Sequence, residues 1–213
     1  MAGKKTVKAE SATAGEPSAR ERILEAAFSA FTKGGFAETS TLQIATRARV
    51  SKRELYALFG SKQEMLIACI SERAGRLRLP IDLPDMTDRE TLRRTLAAFG
   101  AQLLREVSEP AVVAMFRLAI AEAVRAPEIA HALNDIGIAA SRDALREIMR
   151  RARAAHLVGG EPIEMAGQFF GLLWGNLMLG LLLATAERPS PREIARRAEA
   201  ASEAFLRACP APN

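Results

Sequence analysis

Residues 39–62 read TSTLQIATRARVSKRELYALFGSK. Two short helical patterns, Thr41–Arg47 and Lys52–Phe59, flank a tight turn at Ala48-Arg49-Val50, and together these are the parts of a helix-turn-helix. Ile44, Ala45, Val50, Leu55 and Phe59 have the spacing to lock the helices together, and Ala45 is small where they must approach closely. A serine stands at each helix start, Ser40 before Thr41 and Ser51 before Lys52, where its hydroxyl can accept from an orphan amide. With the apolar positions turned inward, the second helix exposes Lys52, Arg53, Tyr56 and Ala57, a face able to enter a major groove. A generic helical pair would share the apolar spacing. It would not need basic and aromatic residues together at the start of its exposed face.

The signature of a helix start recurs outward from this stretch. Ser or Thr followed three residues later by Glu or Gln can satisfy two orphan amides reciprocally. The pattern occurs as Ser18/Glu21, Ser40/Gln43, Ser51/Glu54, Ser61/Glu64, Thr87/Glu90 and Ser190/Glu193. A first helix over 19–33 has an apolar face of Ile23, Leu24, Ala27, Phe28 and Phe31 and ends at Gly34-Gly35. A fourth begins after Ser61 and reaches Arg76, before Pro80 and Pro84 mark a loop. Beyond it, the periodicity predicts helices near 88–107, 110–125, 127–155, 162–186 and 191–208, four of them with a proline near the start. The expected fold is all-α, with about nine helices. A basic arm (1–17) precedes a three-helix helix-turn-helix head (18–64) and a helical bundle (65–213) for effector binding and dimerisation.

Composition agrees with both parts. Hydrophobic residues make up 49% of the chain but aromatics only 5%, so the core is aliphatic and helix-forming. The net charge of +5 lies wholly in residues 1–62, where eleven Lys or Arg face six acids, and every lysine lies at or before Lys62. A basic module on a neutral body is the footprint of a nucleic-acid-binding head.

Residues 20–66 resemble the DNA-binding head of the TetR family of bacterial repressors. The marks are the Ile44-Ala45 pair, the Ala48–Lys52 turn, the Leu55-Tyr56 pair with Phe59 behind it, and Lys62 after a Gly-Ser. The wording at Phe116–Ala130, FRLAIAEAVRAPEIA, resembles the AefR-like body type of that family. The resemblance implies a sequence-specific repressor, a homodimer on a palindromic operator, released by a small effector. It implies that Ser40 and Thr41 reach a phosphate, that Lys52 and Arg53 meet base edges, that Tyr56 touches a phosphate or a thymine methyl, and that Lys62 holds a flanking phosphate. Arg49 stands where many relatives have Gly; a left-handed turn there costs about 1 kcal/mol, which a DNA contact by Arg49 offsets in part. Glu54 replaces a frequent Thr, and is read as turned back to cap Ser51, away from phosphate.

The stretch 165–186 carries no charge and is long enough to cross a bilayer, so a membrane-anchored interaction protein is the alternative reading. Polar Gln168 and Asn176 within it, and an amphipathic helix after it, favour a buried dimer helix. In the TetR-like plan the last two helices form that interface, with Gly167, Gly171, Gly175, Met178 and Leu182 on it. Phe99, Leu103, Met115, Phe116, Leu133, Phe169 and Trp174 are the candidate lining of a cavity for an apolar or amphipathic effector. Enzyme chemistry finds no foothold. His131 and His156 lack metal spacing, Gly159-Gly160 lacks the Lys-Ser/Thr of a phosphate loop, and Asp143 and Glu147 sit among arginines as a solvated ion-pair face. No cofactor or metal is expected. Two distant cysteines, Cys69 and Cys209, and a polar N-terminus fit the cytoplasm.

Overall fold

The computed structural model describes residues 17–75 and 85–212. All but the last residue of the expected arm (1–17), the helix end at Arg76 and the loop from Pro80 to Pro84 lie outside the described residues. Within them every regular element is helical and no strand occurs.

Four helices build the first part: α1 (Ala19–Gly34), α2 (Thr41–Ala48), α3 (Lys52–Phe59) and α4 (Lys62–Gly75). Ser18 closes a full capping box, its Oγ accepting from the Glu21 amide at 3.2 Å while its own amide donates to the Glu21 carboxylate at 2.7 Å. Ser40, Ser51 and Ser61 each accept from the amide three residues on, at 3.1, 3.0 and 3.0 Å. Among the described residues the reciprocal bond from the Ser51 amide to the Glu54 carboxylate is missing, and Glu54 is exposed. α4 runs unbroken through position 64, where the sequence places the end of the head, and its Met65, Leu66 and Ile70 are buried with Ile23, Phe31, Ile44 and Leu55.

The body comprises α5 (Arg89–Val107), α6 (Pro110–Glu122), α7 (Pro127–Ala132), a π-helical segment (Leu133–Ile138), α8 (Ala139–Ala154), α9 (Pro162–Trp174), α10 (Leu177–Leu182) and α11 (Pro191–Ala208). Three expectations change here. The cap of α5 is Asp88, which accepts from the Thr91 amide at 2.7 Å, and not Thr87; that bond holds the Asp88 carboxyl below its usual range. The helix expected over 127–155 carries the π segment between its two α-helical parts.

The third change removes the membrane span. The apolar stretch breaks at Gly175, where φ is +46°, a region suited to glycine. Arg197 of α11 reaches the break and donates to the carbonyls of Leu173 and Trp174, both at 2.8 Å. Arg117 of α6 does the same at the end of α10, bonding the carbonyls of Leu181 and Leu182 at 2.7 and 2.9 Å. Each cation thus satisfies orphan carbonyls and complements the negative end of the helix dipole. Among the described residues no helix is long and apolar enough to cross a membrane.

Two cores result. One joins the head to α6 and α7, with Met115, Leu118 and Ile129 packed under α1 and α4. The other joins α5, α8, α9 and α11 through Leu92, Leu96, Leu145, Phe169 and Phe205. Val112 and Phe116 of α6, half-buried, pack against both.

Candidate nucleic-acid interface and effector cavity

Leu55 and Phe59 pin α3 to the head, and this fixes which residues it shows. Lys52, Arg53, Tyr56 and Ala57 lie on its exposed side, one helical turn apart in pairs. The Tyr56 hydroxyl shares a 3.1 Å hydrogen bond with the hydroxyl of Thr41 at the start of α2, and the Lys52 ammonium sits 5.8 Å from the centre of the Tyr56 ring. The start of α2 and the middle of the exposed side of α3 therefore meet, with Ser40 and Ser51 capping the two helices. No ion pair among the described residues involves Arg49, Lys52 or Arg53. The face offers uncompensated cations.

The turn between α2 and α3 is left-handed at Arg49, with φ 55° and ψ 48°. Its backbone is well tied. The Arg49 amide donates to Thr46 at 3.2 Å, the Val50 amide to Ala45 at 3.1 Å, and Arg22 of α1 donates from Nε to the Ala48 carbonyl at 3.1 Å. Those bonds hold a non-glycine residue where the isolated chain would not.

Lys62 is held within the protein. Its ammonium donates to the carbonyls of Phe36, Ala37 and Thr39 at 2.7, 3.3 and 3.0 Å and lies 4.5 Å from the centre of the Phe36 ring. An ammonium has three donors, and all three are used inside the protein. The geometry makes Lys62 a clamp on the segment that leads into α2.

In the body, a cavity of about 400 Å³ opens among α5, α6, the π segment, α8, α9 and α10. Of the residues singled out from sequence, Leu103, Met115, Phe116, Leu133 and Trp174 line it. Phe99 and Phe169 do not: they meet each other at 6.3 Å between ring centres, and Phe169 packs edge-on to Phe205 at 5.9 Å, inside the second core. Phe170, Ser141, Arg142, Gly167 and Met178 complete much of the lining and were missed or placed elsewhere. Phe170 follows the buried Phe169, and one helical step separates core from cavity. Periodicity alone does not resolve that step.

The glycine stripe divides. An added Cβ at Gly167 or Gly171 would meet nothing within 4 Å, Gly167 at the open side of the cavity and Gly171 on the exposed surface of α9; Ile163, Leu172, Leu179 and Leu183 are exposed as well. At Gly175 the Cβ would meet Arg197 Nη2 at 2.8 Å, and this glycine belongs to the helix break. Met178 lines the cavity, while half-buried Leu182 gives its carbonyl to Arg117. Among the described residues no cluster suited to a metal ion occurs.

Comparison with known proteins gives this arrangement its context. Residues 23–69 match the family described as bacterial regulatory proteins, tetR family. Residues 94–209 match the family described as AefR-like transcriptional repressor, C-terminal domain. The HTH-type transcriptional repressor NicS of Pseudomonas putida is 36% identical over 87 residues, which are 38% of this chain and 39% of that protein. The match thus spans well under half of that relative. Among solved structures, the flavonoid-responsive regulator FrrA is 30% identical with a TM-score of 0.76, over 90% of this chain and 97% of that one. A TetR regulator from Agrobacterium tumefaciens is 25% identical with a TM-score of 0.78, over 90% and 94%. With its C-terminal match alone covering more than half of its length, the chain belongs to the TetR family of DNA-binding transcriptional repressors, regulators and not enzymes, and carries the AefR-like body.

Proposed function

We propose that the protein is a homodimeric repressor that grips a palindromic operator with two copies of α3 and releases it when a small apolar or amphipathic effector fills the cavity. The observation that carries this reading is the α3 face: Lys52 and Arg53 without an ion pair among the described residues, Tyr56 braced on Thr41, and the turn before them left-handed at Arg49. Arg53 and Lys52 read base edges, Arg pairing best with guanine. Ser40, Thr41, Ser51, Arg49 and Tyr56 meet the sugar–phosphate backbone and set the register, and Ala57 fits beside a base or thymine methyl. Lys62 acts indirectly, holding the approach to α2. The dimer forms through the exposed apolar side of α9 and α10, where Gly171 lets backbones approach. The protein works in the cytoplasm, where its operator is.

Selection from a pool of random double-stranded DNA tests the reading. The enriched sites are palindromes whose half-site centres lie about 34 Å apart or a multiple of that. Enrichment of a single unrepeated half-site, or none, would overturn it.

A further inference from the structure

The cavity is apolar except at one edge. Among the described residues Arg142 is the only charged one in its lining, is exposed, and stands next to buried Ser141. The other cations of α8 have partners: Arg146 pairs with Asp143 at 3.2 Å, and Arg150 and Arg151 with Glu147 at 2.7 and 2.8 Å. Those two arginines, Arg150 first, hold the Glu147 carboxyl down at about 2, so it is committed. Arg142 has no carboxylate within salt-bridge reach among the described residues; it makes a long 3.3 Å bond to the side-chain oxygen of Asn134. A guanidinium at the mouth of an apolar chamber, with no carboxylate partner among the described residues, asks for an anion attached to an apolar body.

The walls narrow the body. Phe170 and Trp174 are parallel within 3°, with ring centres 6.4 Å apart, and both line the cavity. Parallel aromatic planes favour a flat partner. A cavity of about 400 Å³ has room for a molecule of two rings.

We propose that the effector is a planar aromatic carboxylate, its rings against Phe170 and Trp174 and its acid group on Arg142, with the Ser141 hydroxyl beside it. This rests on the reading of the cavity as the effector site. The acid takes Arg142 from Asn134, a residue of the π segment that packs against α4 of the head, so the same contact that selects the ligand reaches the DNA-binding part.

Trp174 is the only tryptophan in the chain, so its emission reports the cavity directly. The intact protein is titrated with 2-naphthoate and biphenyl-4-carboxylate, and in parallel with their methyl esters. The expected result is saturable quenching by at least one acid, with its ester at least about tenfold weaker. Arg142→Gln, melting as the parent does, weakens the acid by about tenfold, equivalent to about 1.4 kcal/mol, and leaves the ester unchanged. Should ester and acid bind alike, or the acid ignore Arg142→Gln, the acid class is wrong while the cavity reading survives. Should neither acids nor esters perturb Trp174, the cavity reading falls and takes the proposal with it.

Discussion

Single residues divide here by where their partners lie. Arg53 has no partner among the described residues and faces outward, so Arg53→Ala should relax sequence preference, costing about 1–3 kcal/mol at the base it reads, with the melting temperature unchanged. Lys62 should behave oppositely. Removing its three carbonyl bonds with Lys62→Ala should destabilise the head by about 2 kcal/mol, while the salt dependence of DNA binding keeps its slope. A flattened slope with an unchanged melt would return Lys62 to the phosphate. The sequence could not show this difference, because the carbonyls that hold Lys62 lie 23 to 26 residues away. Caps were legible for the contrary reason: Ser18, Ser40, Ser51 and Ser61 act three residues away. Cys69 adds a titration. Burial pushes its thiol up to about 12 from an ordinary 9.0, so the folded protein keeps it neutral while the unfolded chain ionises near 9. Its contribution to stability is therefore full below pH 9 and is lost as pH rises from there toward 12. Denaturant melts between pH 8 and 11 should show that decline, and Cys69→Ala should lessen it.

At the scale of elements, the informative failures are two interruptions. A run of apolar residues over 165–186 predicts one helix, but Arg197 and Arg117 arrive from other helices and terminate α9 and α10. A helix end needs its carbonyls satisfied, and the residues that do so are invisible in the local pattern. Phe99 and Phe169 fail similarly: an aromatic on a buried face is equally suited to core and cavity, and only the neighbouring Phe205 decides. The glycines of α9 offer a test of the other surface. An added Cβ at Gly171 meets nothing within 4 Å, so with Gly171→Leu helix content should remain as in the parent while the dimer dissociates at higher concentrations. A Gly171→Leu protein as dimeric as its parent in sedimentation would move the interface away from α9.

Over the whole molecule, head and body are not separate weights on a hinge. The head's core includes Met115, Leu118 and Ile129 of the body, Gln63 of α4 bonds the Glu128 carboxylate of α7, and Phe116 touches both cores while lining the cavity. A ligand that displaces Phe116 or the π segment therefore strains contacts that position α4. It shifts the equilibrium only as far as its affinities for the two arrangements differ, commonly about 1–3 kcal/mol. Phe116→Ala should thus uncouple the sites, leaving operator affinity within about threefold of the parent while effector no longer releases DNA. Retained release would place the coupling elsewhere.

The most direct test is sedimentation of the protein with a selected palindromic duplex at low salt. Two chains should bind each duplex, and Arg53→Ala should weaken the complex on that sequence relative to an unselected duplex while remaining a dimer alone. One chain per duplex, or no association with double-stranded DNA, would contradict a paired α3 in the groove.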